Sequence, residues 1–466
     1  MKIKLGHIMT GLLLVCFWQT ATAQNVQFWL TNTDKTVLFQ RQKDLNFTNP
    51  PEDLKDTPLI SVEANRTFQT VDGFGFALTG GSAWLIQQMS PAARQSLLKE
   101  LFADNGNNIG TSYLRISIGS SDLNDHAYSY DDVPAGQTDP ELTKFDLGQD
   151  LHTVIPVLKE ILAINPKIKI LGSPWSAPAW MKTNDSTRGG SLRPKYYAAY
   201  AHYFVKYIHA MKKHGIHIDA ITVQNEPLYP GNNPSMLMYA SQQDIFIKNY
   251  LGPAFKKAKI ETKIIIYDHN ADRPDYPIQI LNDPEARKYI DGSAFHLYGG
   301  KIQALTDVHN AYPDKNLYFT ELWVGAPGNF AKDIPFHINQ LIIGAMRNWS
   351  KNVIEWNLVS SPDYTPHTQG GCNICLGGIT LQGDSVTKNP GYYIIAHAAK
   401  FVRPGSVRIA SNRVLGLNDV AFKTPDGKIV LIVINNGENV ENFDVWFHGQ
   451  IFQSSLNSKS VGTYVW

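Results

Sequence analysis

Cysteine is scarce in this sequence, with three in 466 residues, and Cys16 lies inside an N-terminal apolar run. The other two, Cys372 and Cys375, stand in Gly-Gly-Cys-Asn-Ile-Cys. A structural zinc site takes four ligands, and no second cysteine pair exists to complete one. A thioredoxin-like redox pair would open a helix after a strand, whereas this pair sits among glycines. In an exported chain it reads as a short-range disulfide that stiffens a loop, with two free thiols as the alternative. Long apolar runs are missing too. Ile8–Trp18 spans 11 residues, short of the roughly 20 that a membrane-spanning helix needs. Charge of one sign is also lacking, with 42 basic against 41 acidic side chains, which argues against nucleic acid or an anionic membrane as partner. Internal repeats, low-complexity tracts and charge blocks are absent.

The N-terminal run has a function of its own. Lys2 and Lys4 precede it, and Ala21-Thr22-Ala23 follows as a small-x-small cleavage pattern. Residues 1–23 are therefore expected to be a signal peptide cut after Ala23, with the mature chain secreted, periplasmic or at the cell surface. Removing two lysines leaves 40 basic and 41 acidic side chains, a formal −1. Aromatic residues make up 11% of the chain and include 10 Trp, and sugar rings stack their C–H faces on such side chains.

Short apolar runs alternate with helical patterns through the middle of the chain. Strands are predicted at Gln69–Phe76, Ser112–Gly119, Ile168–Ser176, Asp219–Pro227, Lys263–Asn270, Ile290–Tyr298, Asn316–Trp323 and Val353–Val359. Runs such as Ile264-Ile265-Ile266 suit strands buried on both faces. Helical patterns fill most gaps, at Ser90–Phe102, Leu147–Ile164, Lys195–His214, Gln242–Lys257 and Pro335–Trp349, and Tyr392–Phe401 supplies a last one. Eight such units in about 330 residues make an α/β chain with a (β/α)8 TIM barrel. A doubly wound sheet would show a glycine-rich nucleotide turn after its first strand, which Gly73-x-Gly75 does not provide. From Arg408 onward hairpin patterns take over, with a turn at Pro425-Asp426-Gly427. β-like segments also lie at Val26–Leu30, Val37–Phe39 and Leu59–Val62. The expected layout is thus a signal peptide (1–23), an N-terminal β segment (24–68), the barrel (69–402) and a C-terminal β-sandwich (403–466) that both chain ends complete.

Active sites of such barrels form at the C-terminal strand ends. Those ends carry Arg115, Asp122, Trp175, Asn225, Glu226, Asp268, His269, Asn270, His296, Tyr298, Glu321, Trp323, Glu355, Trp356 and Asn357. Glu226 and Glu321 are 95 residues apart, three β/α units, which places them on strands four and seven across the barrel mouth. Two carboxyls about 5–5.5 Å apart are what a retaining glycosidase requires, one protonated and one ionised. Arg115 either braces a carboxylate or contacts sugar, and His296 and Tyr298 are either site or core residues. His202, His209, His214 and His217 lie on or after a helix, without a zinc pattern.

At these residues the sequence resembles glycoside hydrolase family 30, in the clan that includes lysosomal glucosylceramidase. The markers are Asp72-Gly73-Phe74-Gly75, Leu114-Arg115-Ile116, Ser173-Pro174-Trp175-Ser176-Ala177-Pro178, Trp180-Met181-Lys182-Thr183, Gln224-Asn225-Glu226-Pro227 and Thr320-Glu321-Leu322. The resemblance implies retaining chemistry with no metal or cofactor, Glu226 as acid/base and Glu321 as nucleophile. It also implies that Asn225 holds the sugar 2-hydroxyl and that Arg115, Asp122, Trp175, His296, Tyr298 and Trp356 line the −1 subsite. Leu78-Thr79-Gly80-Gly81-Ser82, Leu297 and the Cys372–Cys375 loop depart from the glucosylceramidase pattern. The turn and the loop look like the endo-β-1,6-glucanase branch. The expected substrate is therefore β-1,6-glucan, cleaved by a monomer, with the glycine pair relieving bulk beside the −1 sugar. A glucosylceramidase or exo-β-glucosidase is the alternative, and a catalytically silent glycan-binding barrel is a distant one.

Overall fold

The computed structural model describes residues 25–51 and 57–466, so the expected signal peptide lies outside the described residues. Eight parallel strands close into a barrel. They are β1 (Gly73–Ala77), β2 (Tyr113–Ser117), β3 (Lys169–Ser173), β4 (Ala220–Thr222), β5 (Lys263–Ala271), β6 (Ile290–Gly300), β7 (Asn316–Glu321) and β8 (Ser350–Asn357). Inside, Tyr113, Leu171, Ala220, Ile265, Ala294, Tyr318 and Ile354 pack as one buried layer, so the barrel is a filled core with its site above it. The Asp-Gly-Phe-Gly motif has a steric cause. A Cβ on Gly75 would lie 1.7 Å from the Tyr113 carbonyl oxygen, and one on Gly73, at φ +143°, would lie 2.5 Å from Ser112 Oγ. Only glycine lets β1 approach β2 this closely.

The second domain is a β-sandwich built from both chain ends. Asn25–Thr31 pairs antiparallel with Val461–Val465, and Leu59–Thr70 runs between Val407–Ser411 and Glu441–Phe447. Its strand Ile429–Asn435 is buried at every position, and period-2 geometry explains why. Ile429, Leu431 and Val433 face the sandwich interior, while Val430, Ile432 and Ile434 join the core shared with the barrel. One strand thus cements two domains.

Several boundaries differ from those predicted. Gln69 and Thr70 end the long sandwich strand instead of opening β1. Val37–Phe39 is bent, and pairing moves to Gln40–Arg41. Phe39 sits at φ +47° because its N–H donates to Thr31 Oγ1 while its ring packs on Trp29 and His397. β4 stops at Thr222, so Asn225 and Glu226 lie in a turn beyond it. A helix not predicted, α1 (Gly80–Gln88), follows β1, its N-terminus capped by Thr79. In the sandwich, Gln450–Leu456 is a further strand that the hairpin pattern did not reveal.

Candidate active site

Above the barrel lies a cavity of about 430 Å³. Glu226, Glu321, Asp122, Trp175, Tyr298, Trp356, Cys372 and Cys375 line it. A carboxylate oxygen of Glu226, one of Glu321 and a ring nitrogen of His296 lie within 4.8 Å of one another. The turn after β4 aims Glu226 inward with its backbone at φ +44°, held by its N–H donating to the Asp268 carbonyl at 3.0 Å. Asp268 is itself at φ +67°. Such left-handed conformations cost energy outside glycine and concentrate where a side chain must point in one direction.

Arg115 and His296 do not line the cavity, contrary to expectation. Both are fully buried and act from beneath. Arg115 donates to Glu321 Oε2, to Asn225 Oδ1 at 2.6 Å and to Asp268 Oδ2 at 2.8 Å. Its guanidinium lies 4.8 Å from the centre of the Trp175 ring, and Trp175 stacks on Trp356 at 5.3 Å. Of the two roles open to Arg115, the structure selects the brace. Asn225 is also mostly buried, with its carbonyl oxygen committed to Arg115.

Asp268 organises the layer below. It accepts from Arg115, Ser173, Thr222 and Thr320, and against its burial the Arg115 charge holds its carboxyl far below the ordinary range. His296 Nε2 faces Asp268 Oδ1 at 3.2 Å, and Nδ1 faces Glu226 Oε1 at 3.1 Å. Burial alone would lower the imidazole, but Glu321, Asp268 and Glu226 raise it to about 9. With carboxylates at both nitrogens, the raised ring is set to carry a proton and to donate it toward either one. The three-residue cluster is therefore an acid–base network.

The two glutamates are held differently. Glu321 receives Arg115 and, at 2.9 Å, the Tyr298 hydroxyl. Burial and the neighbouring Glu226 charge raise its carboxyl against His296 and Arg115. Glu226 has His296 as its close partner, and there, against burial, the hydrogen bond and charge of His296 lower the carboxyl. The two carboxyls influence one another's ionisation, and His296 Nδ1 stands one hydrogen bond from Glu226. Burial and the Glu321 charge also push Asp122 up to about 7.

A disulfide joins Cys372 to Cys375 in the cavity wall. The Cys372 N–H donates to Asp122 Oδ2 at 3.2 Å, and Cys375–Leu376 pairs with Val324–Gly325 beyond β7. Backbone hydrogen bonds thus tie the loop after β8 to two other walls, and the bridge joins the two tethered points. Replacing both cysteines with serine is expected to cost less than about 2 kcal/mol of stability, since the closed loop is so short. The larger effect is expected on KM, because Asp122 loses a fixed partner. Thermal melts beside Michaelis kinetics separate the two, and intact mass after alkylation without reductant reports the bond.

Other strand-end residues fall elsewhere. Glu355 points away from the cavity and pairs with His337 Nδ1 at 2.7 Å, as alternation along β8 demands when Trp356 faces inward. Gly80 and Gly81 lie outside the cavity, so they do not relieve bulk beside a −1 sugar. Leu228, Tyr229 and Asn232 do line it and were missed because they belong to the loop after Glu226 rather than to the strand end. Asp268 carried a usable signal, a lone acid ending the apolar run Ile264–Tyr267.

Residues 71–402 match the glycosyl hydrolase family 30 TIM-barrel domain, and residues 405–464 match the family 30 beta sandwich domain. The chain belongs to glycosyl hydrolase family 30. Endo-1,6-beta-D-glucanase neg1 of Aspergillus fumigatus is 36% identical over 424 residues, covering 85% of each chain. Lysosomal acid glucosylceramidase of Mus musculus is 28% identical over 441 residues, covering 88% of this chain and 83% of its own. The solved structure of the endo-beta1,6-glucanase BT3312 superposes with a TM-score of 0.88 at 37% identity, covering 95% of this chain and 99% of its own. This family 30 enzyme is thus a glycoside hydrolase with both domains of its relatives.

Proposed function

We propose that the chain is a retaining endo-β-1,6-glucanase in which Glu321 is the nucleophile and Glu226 the general acid/base. The observation that carries the chemistry is the approach of the two carboxylates within 4.8 Å. That approach of one oxygen from each fits the separation of about 5–5.5 Å in retaining enzymes better than the roughly 6.5–9.5 Å that leaves room for a water in inverting ones. Support for the roles comes from the partners. Arg115 and Tyr298 orient Glu321 as an anion. His296 can return its Nδ1 proton to Glu226. Glu226 then protonates the leaving oxygen while Glu321 attacks the anomeric carbon. Deprotonated again, Glu226 activates the water that releases the sugar. Trp175 and Trp356 supply the apolar wall, and Asp122 lines the cavity beside them.

The linkage reading is supported by the relatives at 34–36% identity that are named endo-1,6-beta-D-glucanases. Incubation with linear β-1,6-glucan is expected to give short oligosaccharides, with little action on β-1,3-glucan, cellulose or xylan. Efficient hydrolysis of glucosylceramide with no cleavage of the β-1,6 polymer would overturn it. The alkaline limb of kcat/KM is expected well above the ordinary carboxylate range. The proton shared by His296 and Glu226 is present below the raised His296 value and lost as pH rises through it. Export through residues 1–23 belongs to the same proposal, and N-terminal sequencing of the mature protein, expected to begin at Gln24, tests it. Among the described residues no helix is long and apolar enough to cross a membrane.

A further inference from the structure

Gly80 and Gly81 lead to a second hollow on the same face of the barrel. Its volume is about 210 Å³, and its lining includes both glycines, Trp84, Asn124, Asp125 and Gln149. A Cβ on Gly80 would lie 2.0 Å from Asn124 Nδ2, and one on Gly81 would lie 2.7 Å from Pro366 Cγ. With neither present, the first turn of α1 packs directly on Asn124 and Pro366 and brings Trp84 up beside them. Trp84 is 47% exposed, whereas Trp175 and Trp356 are at 2% and 3%. An exposed indole forfeits the burial that favours aromatic side chains inside. Here it stands among neutral and acidic hydrogen-bonding groups, the combination of flat apolar face and polar edge that a pyranose ring fits.

Position says which sugar. Asp122 lines the catalytic cavity and Asn124 and Asp125 line the hollow, a separation of at most ~11 Å of extended backbone. The ridge between them is fixed, with the Gly81 N–H on the Leu123 carbonyl at 2.9 Å and the Thr368 N–H on the Asp122 carbonyl at 2.8 Å. Tyr229, Asn232 and His269 line the cavity beyond β4 and β5, beside the acid/base, where the leaving group departs. The hollow lies beyond β1, β2 and β8, across the barrel from β5. It therefore faces the part of the chain that Glu321 retains.

We infer that Trp84 and this hollow form a distal subsite for the non-reducing portion of a β-1,6-glucan chain that bends over the Asp122–Asn124 ridge. The inference rests on the β-1,6-glucanase reading and deepens it. The extra rotatable bond of each β-1,6 link allows the bend, and a sugar held beyond the −1 position makes internal bonds the preferred targets.

The test is kinetics of wild type, Trp84→Ala and Trp84→Phe on β-1,6-gluco-oligosaccharides from disaccharide to hexasaccharide, with an aryl β-glucoside alongside. Trp84→Ala is expected to raise KM for the longest members about fivefold to tenfold, the size of one aromatic contact. Its kcat and its action on the aryl glucoside stay at wild-type values, and Trp84→Phe recovers most of the loss. An unchanged KM on the hexasaccharide overturns the subsite while leaving the substrate reading intact. An equal loss on every substrate also overturns it, by showing a structural role. Wild type inert on the whole series overturns both together.

Discussion

Glu321→Gln is expected to lower kcat by at least about 10⁴-fold on every substrate, because it removes the atom that forms the covalent intermediate. The fold should survive. Arg115 loses one partner and keeps Asp268 and Asn225, so its charge remains paired in the buried layer. A melt close to that of wild type, beside lost turnover, separates chemistry from stability. Removing the side chain altogether, as Glu321→Gly, opens the space that an external anion can fill. Azide should then restore activity on an activated β-glycoside and give the α-glycosyl azide, since it attacks from the nucleophile's face. Retained activity in Glu321→Gln, or a β-azide from Glu321→Gly, contradicts the assignment.

Glu226→Ala carries the second large effect, and its size depends on the leaving group. Glucan needs protonation of a poor leaving oxygen, so kcat/KM should fall about 10²–10⁴-fold, the range of general acid catalysis. An aryl glycoside with an acidic phenol departs unaided and should lose far less in the first step. Its intermediate then waits for a water that no base activates, so a burst of phenol followed by slow turnover is expected. Azide, which needs no base, should accelerate the second step and give the β-glycosyl azide. Opposite azide anomers from the two variants assign the two glutamates independently of how either one ionises. Equal losses on glucan and aryl glycoside would remove Glu226 from the acid role.

Much of this site was legible in the sequence because the barrel converts chain spacing into geometry. Runs such as Ile264-Ile265-Ile266 mark strands covered on both faces, and counting them places Glu226 and Glu321 opposite one another. Arg115 could not be resolved between brace and subsite in the same way. Its partners Asp268 and Glu321 stand 153 and 206 residues further on, and only the closed barrel brings the three charges together. The turn that aims Glu226 was equally hidden, since a positive φ on glutamate carries no residue signature of the kind glycine gives. Gly80-Gly81 was misread for a related reason. A glycine pair announces a close approach without saying what approaches, and here it is Asn124 and Pro366 rather than a sugar. Val37–Phe39 alternates like a strand, but the bond from its backbone to Thr31 bends it away from that register.

The central claim is double displacement by two glutamates, and the anomer released first tests it most directly. Proton NMR of β-1,6-glucan hydrolysis, followed before mutarotation equilibrates the product, should show the β-anomer of the new reducing end appearing first and the α-anomer growing in later. The α-anomer appearing first would mean a single inverting displacement and would contradict the roles given to Glu226 and Glu321.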